Sequence, residues 1–268
     1  MDLQTRRRAA DDNVAAAFGL TRDYFGDPRA GGARFGPVEA IATGIESAFF
    51  NLALVFEPTT RVEDVLAAVD WVEARGLPVS VHVRDDVGPE VGSALVHRSF
   101  EAGDWQTPVM VLELIPPRPR PQLDGVALRV GGAELHEDFH LGGESGELFR
   151  RIFGPGFLAD SRVRIAAAYL DGEPVAGAAV IRSGQVVGVY AVATQERARR
   201  RGIGRAVTWA AIDAGREAWS GTIAVLQSSE MGVPAYRSMG FEEVSRYTVY
   251  QKPRPAAADE HAAAEPKG

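Results

Sequence analysis

From Val38 onward the chain alternates two hydrophobic rhythms. Short apolar runs at residues 38–44, 49–56, 77–83 and 107–114 read as strands, being rich in residues that pack on a pleated surface. Between them apolar residues recur at helical spacing. In residues 61–76, Val62, Val65, Leu66, Val69 and Val72 share one helical face, and Gly76 supplies a stop. A shorter helix is expected within 92–103, followed by Gly103. The second half repeats the rhythm: strand 126–130, a helix near 144–153, strands 163–170, 174–181 and 186–194, helix 203–219, and strand 222–227. A helix ending at Met239-Gly240 and a strand region at 242–252 close it. The links 171–174 and 182–185 are Gly-containing and turn-like, so the strands they join read as hairpins. The pattern predicts an α/β protein of the α+β type with a mixed sheet.

Composition adds boundaries. The 268 residues are 46% hydrophobic, enough for a full core. Residues 1–35, with a charged helical start and a glycine-rich stretch, read as an N-terminal extension ordered only in part. A first unit spans 36–115. Residues 116–125 form a linker, Pro-rich over 116–122 and so extended. A second unit spans 126–252, and the Ala/Pro/charge-rich residues 253–268 read as a disordered tail. There is no cysteine, which removes disulfides, thiolate nucleophiles and Cys-based zinc sites, and suits a cytoplasmic protein. No apolar h-region follows the N-terminal arginines and no run of 18 apolar residues occurs, so neither a signal peptide nor a membrane span is expected.

Net charge is -7, which argues against nucleic acid as a partner and makes the arginine-rich stretch 197–206 a local exception. Read as a dinucleotide fingerprint, this stretch fails: Val207 stands where the third glycine belongs and Thr222 where the acidic residue belongs. Two readings remain from the residues. One is a solvated basic face beside a tight turn. The other is a phosphate cradle, in which Gly202 and Gly204 open a helix with a buried stripe of Ile203, Val207, Ala211, Ala214 and Ala218. The unpaired first-turn N–H groups attract anions, the absent Cβ atoms permit close approach, and Arg199, Arg200, Arg201 and Arg205 add charge.

Two motifs in order carry a family resemblance. Arg199-x-x-Gly202-x-Gly204 follows a strand. Ser229 precedes Tyr236 by seven residues, with Gly240-Phe241 closing that helix. Together they resemble the GNAT (Gcn5-related N-acetyltransferase) superfamily, over about residues 126–252. The resemblance implies the GNAT fold and acetyl-CoA, or a related acyl-CoA, as co-substrate. Its pyrophosphate would lie on the N–H groups of Arg200–Arg205, Ile203 included, and its pantetheine beside Val192, Ala193 and Thr194 where two strands splay. Ser229 stands where the family often has an Asn touching CoA; it equally suits a helix cap. Tyr236 is the candidate general acid for the thiolate. The strand–helix–strand–helix–strand order of 49–114 echoes the second unit without the glycine motif. This suggests a tandem arrangement with a degenerate first copy, either a monomeric pseudo-dimer or a homodimer.

The implied reaction is direct transfer of an acetyl group to a primary amine of a small molecule or amino acid. A protein N-terminal or lysine acetyltransferase, and a non-catalytic acyl-CoA sensor, are the alternatives. One departure is plain: where several family members carry a catalytic Glu, this chain has Gly188. Glu46 is an alternative base from the first unit. His136 and His140 could share a helix face, but two ligands fall short of a metal site, and none is expected.

Overall fold

The computed structural model describes residues 1–114, 123–139 and 146–253. Residues 116–122 of the proposed 116–125 linker, His140 and the tail from 254 lie outside the described residues. The chain opens with α1 (Leu3–Phe25), whose N-cap Asp2 accepts the Thr5 N–H and whose C-cap Gly26 takes φ 78°. The hairpin β1 (Gly31–Phe35) and β2 (Val38–Ala42) follows. Next come β3 (Leu52–Val55), α2 (Val62–Glu73), β4 (Ser80–Arg84), α3 (Pro89–His97) and the long β5 (Glu101–Glu113). The second half runs β6 (Val126–Gly131), α4 (Gly146–Ile152), α5 (Pro155–Leu158), β7 (Val163–Leu170), β8 (Glu173–Ser183) and β9 (Val186–Thr194). It closes with α6 (Ile203–Trp219), β10 (Ile223–Gln227), α7 (Val233–Met239) and β11 (Glu242–Gln251).

The strands form one sheet in the order β1-β2-β3-β4-β11-β5-β10-β9-β8-β7-β6. Two pairs are parallel, β3 with β4 and β9 with β10, each joined by a crossover helix, α2 or α6. The halves exchange their last strands. β5, the end of the first half, pairs with β10; β11, the end of the second, pairs with β4; and β5 and β11 pair with each other at the centre. The order β3-α2-β4-α3-β5 thus mirrors β9-α6-β10-α7-β11 about the middle of the sheet.

Apolar side chains divide between the two faces. Met110 and Leu112 of β5 pack under α6, whereas Val109 and Val111 pack under α1, as strand alternation requires. α1 is a fully formed helix with Ala10, Asn13, Val14, Ala17 and Leu20 buried, so the expectation of a partly ordered extension is corrected. Its contacts reach β2 on one wing and β8 and β9 on the other, and this burial is what orders it. A second correction concerns α6. Ile203, Val207, Ala211 and Ala214 are buried as expected, but Ala218 is exposed and Trp219 closes the stripe, donating its indole N–H to the Ser161 carbonyl at 3.0 Å. The short helix expected in 92–103 ends at His97, since Ser99 turns left-handed (φ 65°) and residue 101 already starts β5.

Candidate active site

The arginine stretch begins where β9 ends. A short 3-10 turn, Glu196–Ala198, is pinned by buried Ala198. Arg199 is extended, and its Nε donates to the Thr194 carbonyl at 3.2 Å. Arg200 (φ 59°) and Gly202 (φ 78°) are both left-handed, and they swing the chain into the first turn of α6. A Cβ on Gly204 would meet Thr194 Oγ1 at 2.9 Å, so the glycine lets the helix start sit directly on the strand end. Ile203 is buried, so only its backbone N–H faces the loop. Arg200, Arg201 and Arg205 are exposed and form no ion pair among the described residues. The loop has the groups a pyrophosphate needs: open first-turn N–H groups, no Cβ at Gly204, and three guanidinium groups with no ion pair among the described residues.

Beside this loop β9 leaves β10. Their pairing stops at Val189 opposite Leu226, and β9 continues through Thr194 without β10. Ala193 and Thr194 stay paired to Gly177 and Ala176 of β8, so their other edge faces the gap. Between those registers β9 bulges, and Ala191 takes φ 53°, a left-handed conformation that a residue with a Cβ adopts at a cost. The bulge interrupts the ladder to β8 at Ala191 and Val192, beside this gap. Backbone donors and acceptors held apart this way are ready partners for an extended ligand.

Tyr236 lies on α7 at the same apolar cluster that Val192 borders, with an edge-to-face contact to Phe241 (centroids 5.8 Å apart). Burial raises the pKa of its hydroxyl, which has no hydrogen-bond partner among the described residues. Ser229 starts the turn into α7: its hydroxyl accepts the Gly232 N–H at 3.2 Å and its carbonyl accepts the Val233 N–H at 3.2 Å. The serine therefore does capping work while its side chain stays exposed.

No carboxylate stands at Gly188, and the structure gives the reason. A Cβ there would collide with Asn13 Oδ1 of α1. Asn13 is fully buried, donates to the Ile181 carbonyl (3.1 Å) and to Ser183 Oγ (2.9 Å), and accepts the Tyr190 hydroxyl at 2.7 Å. Burial pushes the Tyr190 hydroxyl well above its usual range. Glu46 is exposed and paired with Arg29, which engages its carboxylate. His136 meets Glu137 at 3.1 Å at the surface, and no group of three or more metal-ligating side chains occurs among the described residues. Sequence reasoning missed Asn13 and Tyr190, and also a buried network beneath α1: Asp11 accepts from Arg84 (2.6 Å) and from the Tyr247 hydroxyl. The polar run Asp11-Asp12-Asn13 in an otherwise alanine-rich stretch was the only signal the sequence offered. Two cavities, of about 300 and 370 Å³, flank α1 and lie away from the arginine loop.

A mixed sheet with a splayed parallel pair, closed by a glycine-led helix N-terminus, defines a class of α/β acyltransferase folds. Comparison then gives the particular likeness: residues 133–224 match the model described as an acetyltransferase (GNAT) domain. The match includes the Val192–Arg205 stretch and ends before Ser229 and Tyr236. The chain superimposes on a GCN5-related N-acetyltransferase from Kribbella flavida with a TM-score of 0.70, over 93% of this chain and 98% of that one, at 21% identity. A tandem GNAT protein from the clavulanic acid biosynthesis pathway, solved without AcCoA, gives 0.59 over 94% and 96% at 12% identity. A GCN5-related N-acetyltransferase from Sphaerobacter thermophilus gives 0.56 over 81% and 77% at 15% identity. No curated protein matches the chain by sequence. The fold is the GNAT fold, in a two-half arrangement like that of the tandem neighbour. No helix among the described residues is long and apolar enough to cross a membrane.

Proposed function

We propose that this protein is a cytoplasmic N-acetyltransferase that moves an acetyl group from acetyl-CoA to a primary amine of a small molecule or amino acid. The observation that carries this reading is the gap between β9 and β10 opening directly onto the glycine-led start of α6. The first-turn N–H groups from Arg200 to Arg205 hold the pyrophosphate, with Arg200, Arg201 and Arg205 as flexible cations. Arg199, tied to Thr194, braces the loop. Ala193 and Thr194 offer their free edge to the pantetheine, and Ser229 offers a hydroxyl at the far wall. When bound, acetyl-CoA supplies an activated thioester carbonyl.

The peptides around Val192 donate to the oxygen on which charge develops as the amine nitrogen bonds to the carbonyl carbon. As the C–S bond breaks, Tyr236 gives its proton to the departing sulfur and recovers one, through solvent, from the newly formed ammonium. A thiol pKa of about 8.5 makes this leaving group fair already, so the assistance falls at the low end of roughly 10²–10⁴-fold. With Gly188 covered by Asn13, amine deprotonation falls to water or solvent-exposed groups. Holding a lysine-like amine neutral at pH 7 costs about 4–5 kcal/mol, so activity should climb through the neutral-to-alkaline range.

A thermal-shift titration with acetyl-CoA tests the cradle. Ligand at about 100 Kd stabilises by about 2.7 kcal/mol, a shift of several degrees. Gly204→Glu should abolish the shift, since its side chain meets Thr194 Oγ1 and places a carboxylate in the cradle. In an amine screen, Tyr236→Phe should lower kcat about a hundredfold with acetyl-CoA affinity unchanged. A wild type that shows no shift rejects the donor, and unchanged turnover in Tyr236→Phe rejects the acid.

A further inference from the structure

The first half has its own parallel pair, and its C-terminal ends also open onto a cavity. The β3–β4 pairing stops at Val55 opposite Val83, and Phe56, Glu57 and Arg84 lie just beyond. A cavity of about 300 Å³ sits there, between α1, the β1–β2 hairpin and these strand ends. In open α/β sheets, ligands bind at the carboxyl ends of parallel strands. The mirror relation of the halves makes this place the counterpart of the β9–β10 gap.

The lining is charged with both signs. Arg8 and Asp12 come from α1, Arg34 from β1, and Glu57 from the end of β3. Arg8, Asp12 and Glu57 form no ion pair or side-chain hydrogen bond with any described residue. Among the described residues Arg34 is ion-paired with Glu39, at 3.1 Å. Asp12 is raised above the usual carboxylate range by partial burial, against the pull of Arg8 and Arg34, with Glu57 adding repulsion. Two carboxylates within electrostatic reach of each other favour a cation between them. Two arginines beside them, Arg8 one helical turn before Asp12 and Arg34 from β1, present forked donors suited to a carboxylate. The floor is apolar: Leu54 is buried and the Phe56 ring stacks on Tyr247 (4.6 Å, 20°).

We propose that this cavity is a second small-molecule site, which takes a free α-amino acid as its zwitterion. Arg8 and Arg34 hold the carboxylate, Asp12 and Glu57 hold the ammonium, and the Phe56 face receives the side chain. The volume stands at the low end for ligand pockets, right for one amino acid with a few waters and too small for a nucleotide carrier. Phe56 rests on Tyr247 of β11, the strand that follows α7, so the occupant leans on the half that carries the arginine loop.

The test is calorimetric titration of the full chain with each free proteinogenic amino acid, beside N-acetylated and carboxamide derivatives of any that bind. At least one amino acid should bind at a one-to-one ratio, and its blocked derivatives should bind at least about tenfold more weakly. Arg8→Glu and Asp12→Lys, both at exposed positions, should each weaken binding by at least about tenfold while the acetyl-CoA thermal shift is kept. Absence of binding by every amino acid overturns the proposal. So does equal binding of the blocked derivatives, or affinity that survives both substitutions, as it would for an amino acid seated only in the β9–β10 groove. These readouts involve no turnover, so loss of the acetyltransferase reading would leave them standing, and the reverse holds too.

Discussion

Asp11 is pushed up to about 6 by burial, against the opposing pull of the Tyr247 hydroxyl and the Arg84 guanidinium. The folded state thus holds this proton more tightly than the unfolded chain, whose carboxyl titrates near 3.8. Where the folded pKa is the higher one, ionisation favours the unfolded state, so stability falls as pH rises from about 4 to about 6 and levels above. Asp11→Asn removes this dependence. The stability difference between variant and wild type should move in the variant's favour across that window, whatever its constant offset; denaturant melts at a series of pH values measure it, and a difference independent of pH would refute the assignment. At the same scale the arginine loop was largely readable. Glycine spacing and arginine density are local properties, and the left-handed φ of Gly202 is one that glycine adopts without strain. The division of labour was not readable. Arg199 braces Thr194 while Arg200, Arg201 and Arg205 stay unengaged, which depends on where the end of β9 lies.

Among the elements, α1 departs furthest from its sequence reading. Its cap and stop, Asp2 and Gly26, follow ordinary rules. Its buried face is Ala10, Asp11, Asn13, Val14, Ala17, Leu20 and Thr21, however, and such small or polar residues give a weak hydrophobic period. The helix is fixed by the sheet it covers. Asn13 reaches into the space left by Gly188, so the two positions are coupled across α1 and β9. Gly188→Ala should destabilise by roughly 1–3 kcal/mol through overpacking. Asn13→Ala should cost roughly 1–3 kcal/mol through stranded polar partners. The double variant should lose less than the sum, because Asn13→Ala removes the atom that the methyl added by Gly188→Ala would strike. Strict additivity in thermal or denaturant melts would show that the close approach carries no energy.

For the whole molecule, the exchange of β5 and β11 has a mechanical consequence. Each half contributes a central strand to the other, so neither can keep its sheet edge paired alone. Chemical unfolding should therefore be one cooperative transition. Trp71 on α2 of the first half and Trp209 and Trp219 on α6 of the second provide local reporters, and variants keeping one set should give coincident midpoints. Separated midpoints would mean that the halves fold independently despite the shared strands.

The sequence by itself determined most strands and helices from Val38 to Gln251, the placing of Gly202 and Gly204 at a helix start, and the likeness of the last half to a GNAT domain. These are local: hydrophobic period, turn chemistry and motif spacing act over a few residues. Only the tertiary structure decided that α1 spans both wings of one sheet, that Asn13 leaves no room for a side chain at position 188, and that the halves trade their final strands. Those outcomes depend on which surfaces meet after collapse. Residues 175 positions apart in the chain, such as Asn13 and Gly188, become neighbours only when packing brings them together.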